Sequence, residues 1–256
     1  MVTVKDIYRW IDDFAPFDTA MSFDNVGLLV GDADGPVTVA LLALDITPQV
    51  IQQAVGQKAE LIISHHPVIF QSLRRLSSSS VPYLLAQNSL CAIAAHTNYD
   101  LACGGVNTCL AERIGLQKIN MLEEYEQTGL AASLIGELEQ PLTPEAFAAH
   151  IKSALQCGGV KFTMGKTAVK TVAVACGAGS SSVFAAGSAK ADAFVTGESK
   201  HHELLAAVEL GLTMVDAGHF ATENLAMQPL CDRLAKAFPQ VSFLVADQQD
   251  PVHYCI

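Results

Sequence analysis

The sequence predicts an α/β protein made of two lobes with mostly parallel sheets. Short apolar runs that suit buried parallel strands alternate along the chain with segments of helical periodicity. The run at 37–44 shows the pattern, because it ends at Asp45 and is followed by Thr47 and Pro48, a helix cap and a first-turn proline. Strands that alternate with helices in this way are typical of βαβ units.

Each predicted element has a local signal. Helices are predicted where apolar residues recur every three or four positions, or where a cap or a terminal glycine marks an end. They cover residues 3–14, 47–55, 81–88, 106–114, 143–155, 201–210 and 222–238, with one more after the tight turn at 177–182. Strands are predicted at 37–44, 61–64, 91–95, 160–163, 171–176, 193–196, 213–216 and 241–245. The turn-rich segment 16–35 and the polar stretch 116–130 are predicted to be irregular.

The polar stretch also marks the predicted boundary between the lobes. The first lobe covers residues 1–125 and carries His65, His66 and Asp100. The second lobe covers residues 126–256. Its C-terminal part, from about 213, is expected to pack back on the first lobe and to supply His219 and Glu223.

Composition excludes several classes of protein. The 256 residues include 15 Lys and Arg against 26 Asp and Glu, which gives a net charge of −11. Such an acidic chain is a poor general ligand for nucleic acid or for an anionic membrane. With 50% hydrophobic and only 16% charged residues, it is not a disordered chain either. The longest stretch without charged residues, 76–99, holds too many polar side chains to span a bilayer.

A cytoplasmic location is expected. Residues 1–13 carry three aspartates and no apolar core of the kind that signal peptides need. The seven cysteines include no C-x-x-C pair, and most lie in apolar contexts. This usage favours reduced, buried thiols over a disulfide framework.

The candidate functional residues follow predicted strands, at the edge of the sheet where ligands bind in open parallel sheets. His65 and His66 follow one strand directly, Asp100 comes soon after the next, and His219 and Glu223 follow a third at helical i, i+4 spacing. Three imidazoles and two carboxylates fit a dinuclear site for Zn, Fe or Mn.

Each signal also has an ordinary structural explanation. One histidine of the pair would cap a strand while the other is solvated, and Asp100 would be a turn residue before a Gly-Gly sequence. His219 and Glu223 would then be a surface pair on an amphipathic helix. The five residues favour a metal site jointly rather than singly.

Several motifs in one order resemble the family of GTP cyclohydrolase I type 2 homologues, also called Nif-three-like dinuclear-metal proteins, over nearly the whole chain. They are DNVGL at 24–28, LIISHHPVIF at 61–70, AHTNYD at 95–100, GGVN at 104–107, DAFVTGE at 192–198 with HH at 201–202, and AGHFATE at 217–223. The resemblance implies two divalent metal ions per subunit. The implied ligands are His65, His66, Asp100, His219 and Glu223, with Glu223 as the bridging carboxylate.

The resemblance also implies two α/β lobes with the metal site in the cleft between them, at the C-terminal ends of strands, and a toroidal homohexamer. This chain is similar to the minimal form of the family, without an inserted domain. His96 and Glu198 are candidates for general acid–base catalysis or for orienting the ligands. His201 and His202 would either face the cleft or cap a helix end. The turn at 177–182 would cradle a phosphate or be a plain tight turn, and it lacks the lysine of a P-loop.

The leading hypothesis is a metal-dependent hydrolase acting on a nucleotide-like small molecule. The reaction that the family name implies is hydrolytic opening of the imidazole ring of GTP with release of formate. One alternative is a non-catalytic, metal-binding regulatory scaffold. Another is a dinuclear phosphoesterase or amidohydrolase with a different substrate.

Overall fold

The computed structural model describes residues 1–255 and shows two compact units. The first unit comprises Met1–Tyr99 and Met227–Gln249, and the second comprises Asp100–Ala226 and the residues from Asp250 onward. The division therefore falls after Tyr99, whereas the sequence placed a lobe boundary after residue 125. Ile256, the last residue of the predicted second lobe, lies outside the described residues.

Helices and strands alternate along most of the chain. The strands are β1 (Gly27–Val30), β2 (Val39–Ala43), β3 (Leu61–Ser64), β4 (Cys91–Ala94), β5 (Gln117–Glu124), β6 (Ala131–Leu142), β7 (Lys161–Phe162), β8 (Val169–Ala175), β9 (Ala193–Thr196), β10 (Thr213–Asp216) and β11 (Ser242–Val245). The helices are α1 (Val4–Phe14), α2 (Pro48–Gly56), α3 (Val81–Gln87), α4 (Thr97–Leu101), α5 (Val106–Arg113), α6 (Pro144–Leu155), α7 (Val183–Ser188), α8 (His201–Leu210), α9 (His219–Glu223) and α10 (Met227–Ala237). The predicted α/β class is confirmed.

The first unit has a five-stranded sheet in the order β1-β4-β3-β2-β11. The four strands from β4 to β11 run parallel, and β1 is an antiparallel edge strand. Leu41 and Ile62 are paired across β2 and β3 and are both almost fully buried. Helices α2 and α3 cover this face with Val50 and Leu85. Burial of each such side chain contributes about 1.5–3 kcal/mol.

Local signals set the helix ends as the sequence indicated. Thr3 caps α1 in a capping box with Asp6, and Thr47 caps α2, in which Pro48 occupies the first turn. The predicted helix at 222–238 is instead divided into α9, a 3₁₀ turn at Asn224–Ala226 and α10. Pro229 explains why α10 begins nearby, because proline lacks an N–H and is tolerated only in a first turn.

The second unit has a six-stranded sheet in the order β5-β6-β8-β9-β10-β7. Only β8, β9 and β10 are mutually parallel, and β5, β6 and β7 join by antiparallel pairing. The prediction of a mostly parallel sheet thus holds for the first sheet, while the second is mixed.

The sequence missed the strands β1 and β5 for a common reason. Both β1 and β5 are edge strands with register irregularities, and β5 is exposed or half-buried along its length. Such strands show no clean alternation of apolar and polar residues, which is the signal that marks a half-buried strand. Among residues 1–255, no helix has the length and apolar character needed to cross a membrane.

Candidate metal centre

Three histidines of the first unit come together at the ends of adjacent parallel strands. Ser64 of β3 is paired with Ala94 of β4, so both strands end at the same edge of the sheet. His65 and His66 follow β3 directly, and His96 follows β4 after one residue. A ring nitrogen of each histidine lies within 4.8 Å of those of the other two. This cluster, His65, His66 and His96, is called the histidine triad below.

Every ring of the triad is oriented through its Nδ1 atom. His65 donates to the Ala95 carbonyl at 2.9 Å, His66 to Asp45 Oδ1 at 2.7 Å, and His96 to Asp24 Oδ1 at 2.9 Å. Carbonyl and carboxylate oxygens only accept hydrogen bonds, so the chemistry of these partners assigns the proton to Nδ1. In the neutral ring Nε2 is then the unprotonated nitrogen, which is the form that binds metals.

Asp24 anchors His96 from a position 72 residues earlier in the chain. Its side chain is fully covered, and its second oxygen accepts from the Thr97 amide at 3.1 Å and the Thr97 hydroxyl at 2.6 Å. Burial alone would raise the pKa of Asp24, but the hydrogen bonds from His96 and Thr97 outweigh burial and lower the pKa to about 2. Asp24 is therefore ionised at neutral pH and holds its two partners firmly.

In the second unit, α9 begins at His219 and places it one turn from Glu223, as the i, i+4 spacing predicted. His219 Nε2 lies 2.9 Å from Glu223 Oε2, and Glu223 is 3% exposed. His219 Nδ1 lies 3.0 Å from Glu198 Oε1, so this ring is oriented in the same way as those of the triad. Glu198, a candidate acid–base residue from the sequence, thus contacts His219.

Asp100 lies in the second unit with a cysteine that the sequence did not single out. Cys176 Sγ lies 3.2 Å from Asp100 Oδ1, and the Asn107 side chain donates to the Asp100 carbonyl at 3.2 Å. Burial, followed by the charges of Asp100 and Glu223, raises the pKa of the Cys176 thiol well above its usual value. The thiol is therefore neutral and donates to the carboxylate. Asn107 belongs to the GGVN motif, whereas no spacing signal marks Cys176.

Gly177 makes room for Glu223. A Cβ atom at this position would overlap Glu223 Oε1 and lie 3.4 Å from His219 Cε1. The Gly177 carbonyl accepts from the amides of Gly197 and Glu198 at 3.0 and 2.9 Å, so the backbone is fixed. The turn at 177–182 contains a 3₁₀ segment, Gly179–Ser182, that leads into the short helix α7.

The remaining sequence candidates, His201 and His202, are exposed at the start of α8. His202 Nε2 lies 4.0 Å from Glu203 Oε1. The predicted ligands are therefore held by specific contacts within each unit. The histidine triad lies in the first unit. The second unit holds His219 beside Glu223 and Asp100 beside Cys176. Imidazole nitrogens and carboxylate oxygens together suit Zn, Fe or Mn, so these donors fit a divalent transition metal.

Comparison with known proteins identifies the family. Residues 2–251 match the model of Duf34/NIF3 (NGG1p interacting factor 3). The chain belongs to the Duf34/NIF3 family. A curated relative from Clostridium perfringens, named GTP cyclohydrolase 1 type 2 homolog, is 30% identical over 98% of this chain and 99% of its own length.

Solved structures agree with the Duf34/NIF3 assignment. A hypothetical protein from Staphylococcus aureus is similar with a TM-score of 0.91 and 30% identity, over 99% of both chains. A Bacillus cereus protein related to NIF3 has a TM-score of 0.92 at 24% identity, again over 99% of both chains, and supports the fold. The family and fold that the sequence motifs implied are both confirmed.

Proposed function

We propose that this Duf34/NIF3 protein binds two divalent metal ions and hydrolyses a nucleotide-like small molecule. The proposed ligands are His65, His66, Asp100, His219 and Glu223, with Glu223 bridging. The observation that carries the proposal is the common orientation of the histidines, each of which has Nδ1 at an oxygen acceptor. Such outer partners fix ring orientation and raise ligand basicity at metal sites. The names of the curated relatives favour GTP as substrate. We propose that the reaction opens the imidazole ring of GTP and releases formate.

Bound divalent ions would lower the pKa of a bound water toward about 7 and would act as a Lewis acid on the electrophile. The side chains around the donors then have separate tasks. His96, held by the ionised Asp24, is the proposed proton carrier. Glu198 is a positioning residue for His219, and the neutral Cys176 thiol positions Asp100.

Metal content tests the ligand assignment. We expect His65→Ala and Glu223→Ala each to lower the metal content of the purified protein, measured by elemental analysis. His150→Ala is the matched control, because this histidine also bonds a backbone carbonyl, Ile114 at 2.8 Å, but takes no part in the proposed site. Stable two-metal occupancy in both ligand variants would refute the assignment.

Turnover tests the reaction separately. Metal-loaded protein is expected to release formate from GTP, and neither ligand variant should do so. A metal-loaded protein that releases no formate would exclude the cyclohydrolase reaction and leave the metal site intact. A panel of phosphoesters and amides would then test the alternative hydrolytic reactions.

We also propose a cytoplasmic homohexamer. The assembly is supported by exposed apolar side chains on α7 and α8, namely Phe184, Leu205, Val208 and Leu210, each about half exposed. The location is supported by the burial of Cys109, Cys157, Cys176 and Cys231. The molar mass in solution, measured by light scattering, would contradict the assembly if it equalled that of one chain.

A further inference from the structure

Two phenyl rings beside the histidine triad are exposed. Phe23 is 60% exposed and Phe70 is 47% exposed, whereas Phe147 and Phe194 are fully buried. The ring centroids of Phe23 and Phe70 lie 6.2 Å apart, and the two rings are tilted by 45° to each other. Phe70 in turn meets His96 edge to face, at 6.3 Å and an interplanar angle of 69°. The two phenyl rings therefore extend the surface of the triad outward.

The loops that carry these rings are fixed by hydrogen bonds. On one side of Phe23, the Met21 amide donates to the Thr97 hydroxyl at 2.9 Å. On the other side, Asp24 accepts hydrogen bonds from His96 and Thr97. The Asn25 side chain donates to the carbonyl of Ile69, the residue before Phe70. Rigidly held aromatic rings bind ligands at little conformational cost. The two exposed rings are therefore held in place and available to a ligand, unlike rings on a loose surface loop.

We infer that Phe23 and Phe70 form a stacking platform for a planar heteroaromatic ring of the substrate. This inference rests on the proposed function, for which it assigns the residues that would bind the base of the substrate. The platform offers ring faces, and the His96 imidazole beside it offers hydrogen-bonding chemistry. A nitrogen heterocycle satisfies both, because it has an apolar face and polar edges. A wholly apolar ligand would leave the polar groups beside the platform without partners.

The chemistry of stacking sets the size of the expected effect. Stacking of a base on an aromatic side chain changes affinity by about tenfold or more per base. Leucine keeps the apolar character of phenylalanine but has no ring face. Phe23→Leu and Phe70→Leu are therefore expected to weaken binding of a base by about tenfold each, without changing the metal content.

Guanosine 5′-monophosphate and ribose 5-phosphate are suitable probes, because the second carries a hydroxyl where the first carries the base. Calorimetric titration of the purified protein is expected to show tighter binding of the nucleotide, and both variants should weaken it while leaving ribose 5-phosphate unaffected. Phe162→Leu is the matched control, since Phe162 is 39% exposed on β7 and has no part in the proposed site, so that both affinities are expected to stay unchanged. Circular dichroism melting checks that each variant folds.

Three results would overturn the platform. They are equal wild-type affinity for the two probes, no nucleotide binding at millimolar concentration, and variants that bind the nucleotide as tightly as wild type does. Since binding is measured without turnover, failure of the proposed reaction can be distinguished from failure of the platform. A protein that binds the nucleotide through these rings but releases no formate from GTP keeps the platform and loses the reaction.

Discussion

Gly177→Ala is a single-methyl test of how tightly the second unit packs around Glu223. The added Cβ would overlap Glu223 Oε1 and lie 3.0 Å from its carboxylate carbon. The backbone cannot easily move away, because the Gly177 amide donates to the Thr222 hydroxyl at 3.2 Å and its carbonyl accepts from Gly197 and Glu198. The carboxylate of Glu223 must therefore shift.

The expected cost has two parts. Gly177 has φ of +50°, where an alanine costs about 1–2 kcal/mol. Overpacking against a buried group adds about 1–3 kcal/mol. We therefore expect Gly177→Ala to lower the free energy of unfolding by about 2–5 kcal/mol. Displacing Glu223, the proposed bridging ligand, should also weaken metal binding by at least about 100-fold, because loss of an outer partner alone costs about 10–100-fold.

Gly115→Ala is the control for backbone strain. Gly115 also has a positive φ, +82°, but nothing lies within 4 Å of the added Cβ. It should lose only about 1–2 kcal/mol and bind metal as wild type does. Urea denaturation and chelator competition measure the two quantities. If Gly177→Ala were no less stable than Gly115→Ala and kept wild-type metal affinity, the packing argument around Glu223 would be refuted.

Three further predictions concern single side chains. His96→Gln is expected to lower turnover by about 10²–10⁴-fold and keep the metal, and loss of the metal would show that His96 is a ligand instead. Cys176→Ala should weaken metal binding by about 10–100-fold and Cys176→Ser should restore it, since the hydroxyl still donates to Asp100; equal affinities in a chelator titration would contradict this. Partial burial alone would raise the pKa of Glu60, but hydrogen bonds from Val39 and Thr38 outweigh burial and lower the pKa. The stabilisation that this carboxylate gives the fold is therefore present above its ordinary pKa of 4.5 and is lost as pH falls through the lowered value. Glu60→Gln should thus lower the free energy of unfolding by about 1–2 kcal/mol at pH 7 and have little effect in acid, as urea titration at both pH values would show.

The parts of the fold that sequence reasoning found are those with strong local signals. Strand β3 is a fully buried apolar run, and α2 has both a threonine cap and a first-turn proline. Strand β5 lacks such signals, because an exposed edge strand carries no apolar alternation. The histidines of the triad were predictable for a related reason, since residues that follow neighbouring parallel strands meet at one sheet edge.

The residues that orient the site were not predictable in this way. Asp24 reaches His96 across 72 positions of sequence, and Cys176 reaches Asp100 across 76. Contacts of this kind depend on tertiary packing, which no local spacing records. Gly177 is harder still to find, because its role lies in the space that a missing side chain leaves for Glu223.

These partners give part of the chain's acidity a structural use. Asp24, Asp45 and Glu198 each accept a hydrogen bond from the Nδ1 atom of a histidine. A carboxylate in that position favours positive charge on or beyond the ring, and so favours a cation bound at Nε2. The net charge of −11 that argues against a nucleic-acid ligand is therefore compatible with divalent metal. The same negative charge repels the phosphates of an anionic substrate such as a nucleotide. Binding of such a substrate therefore has to rely on bound cations and on contacts with the base.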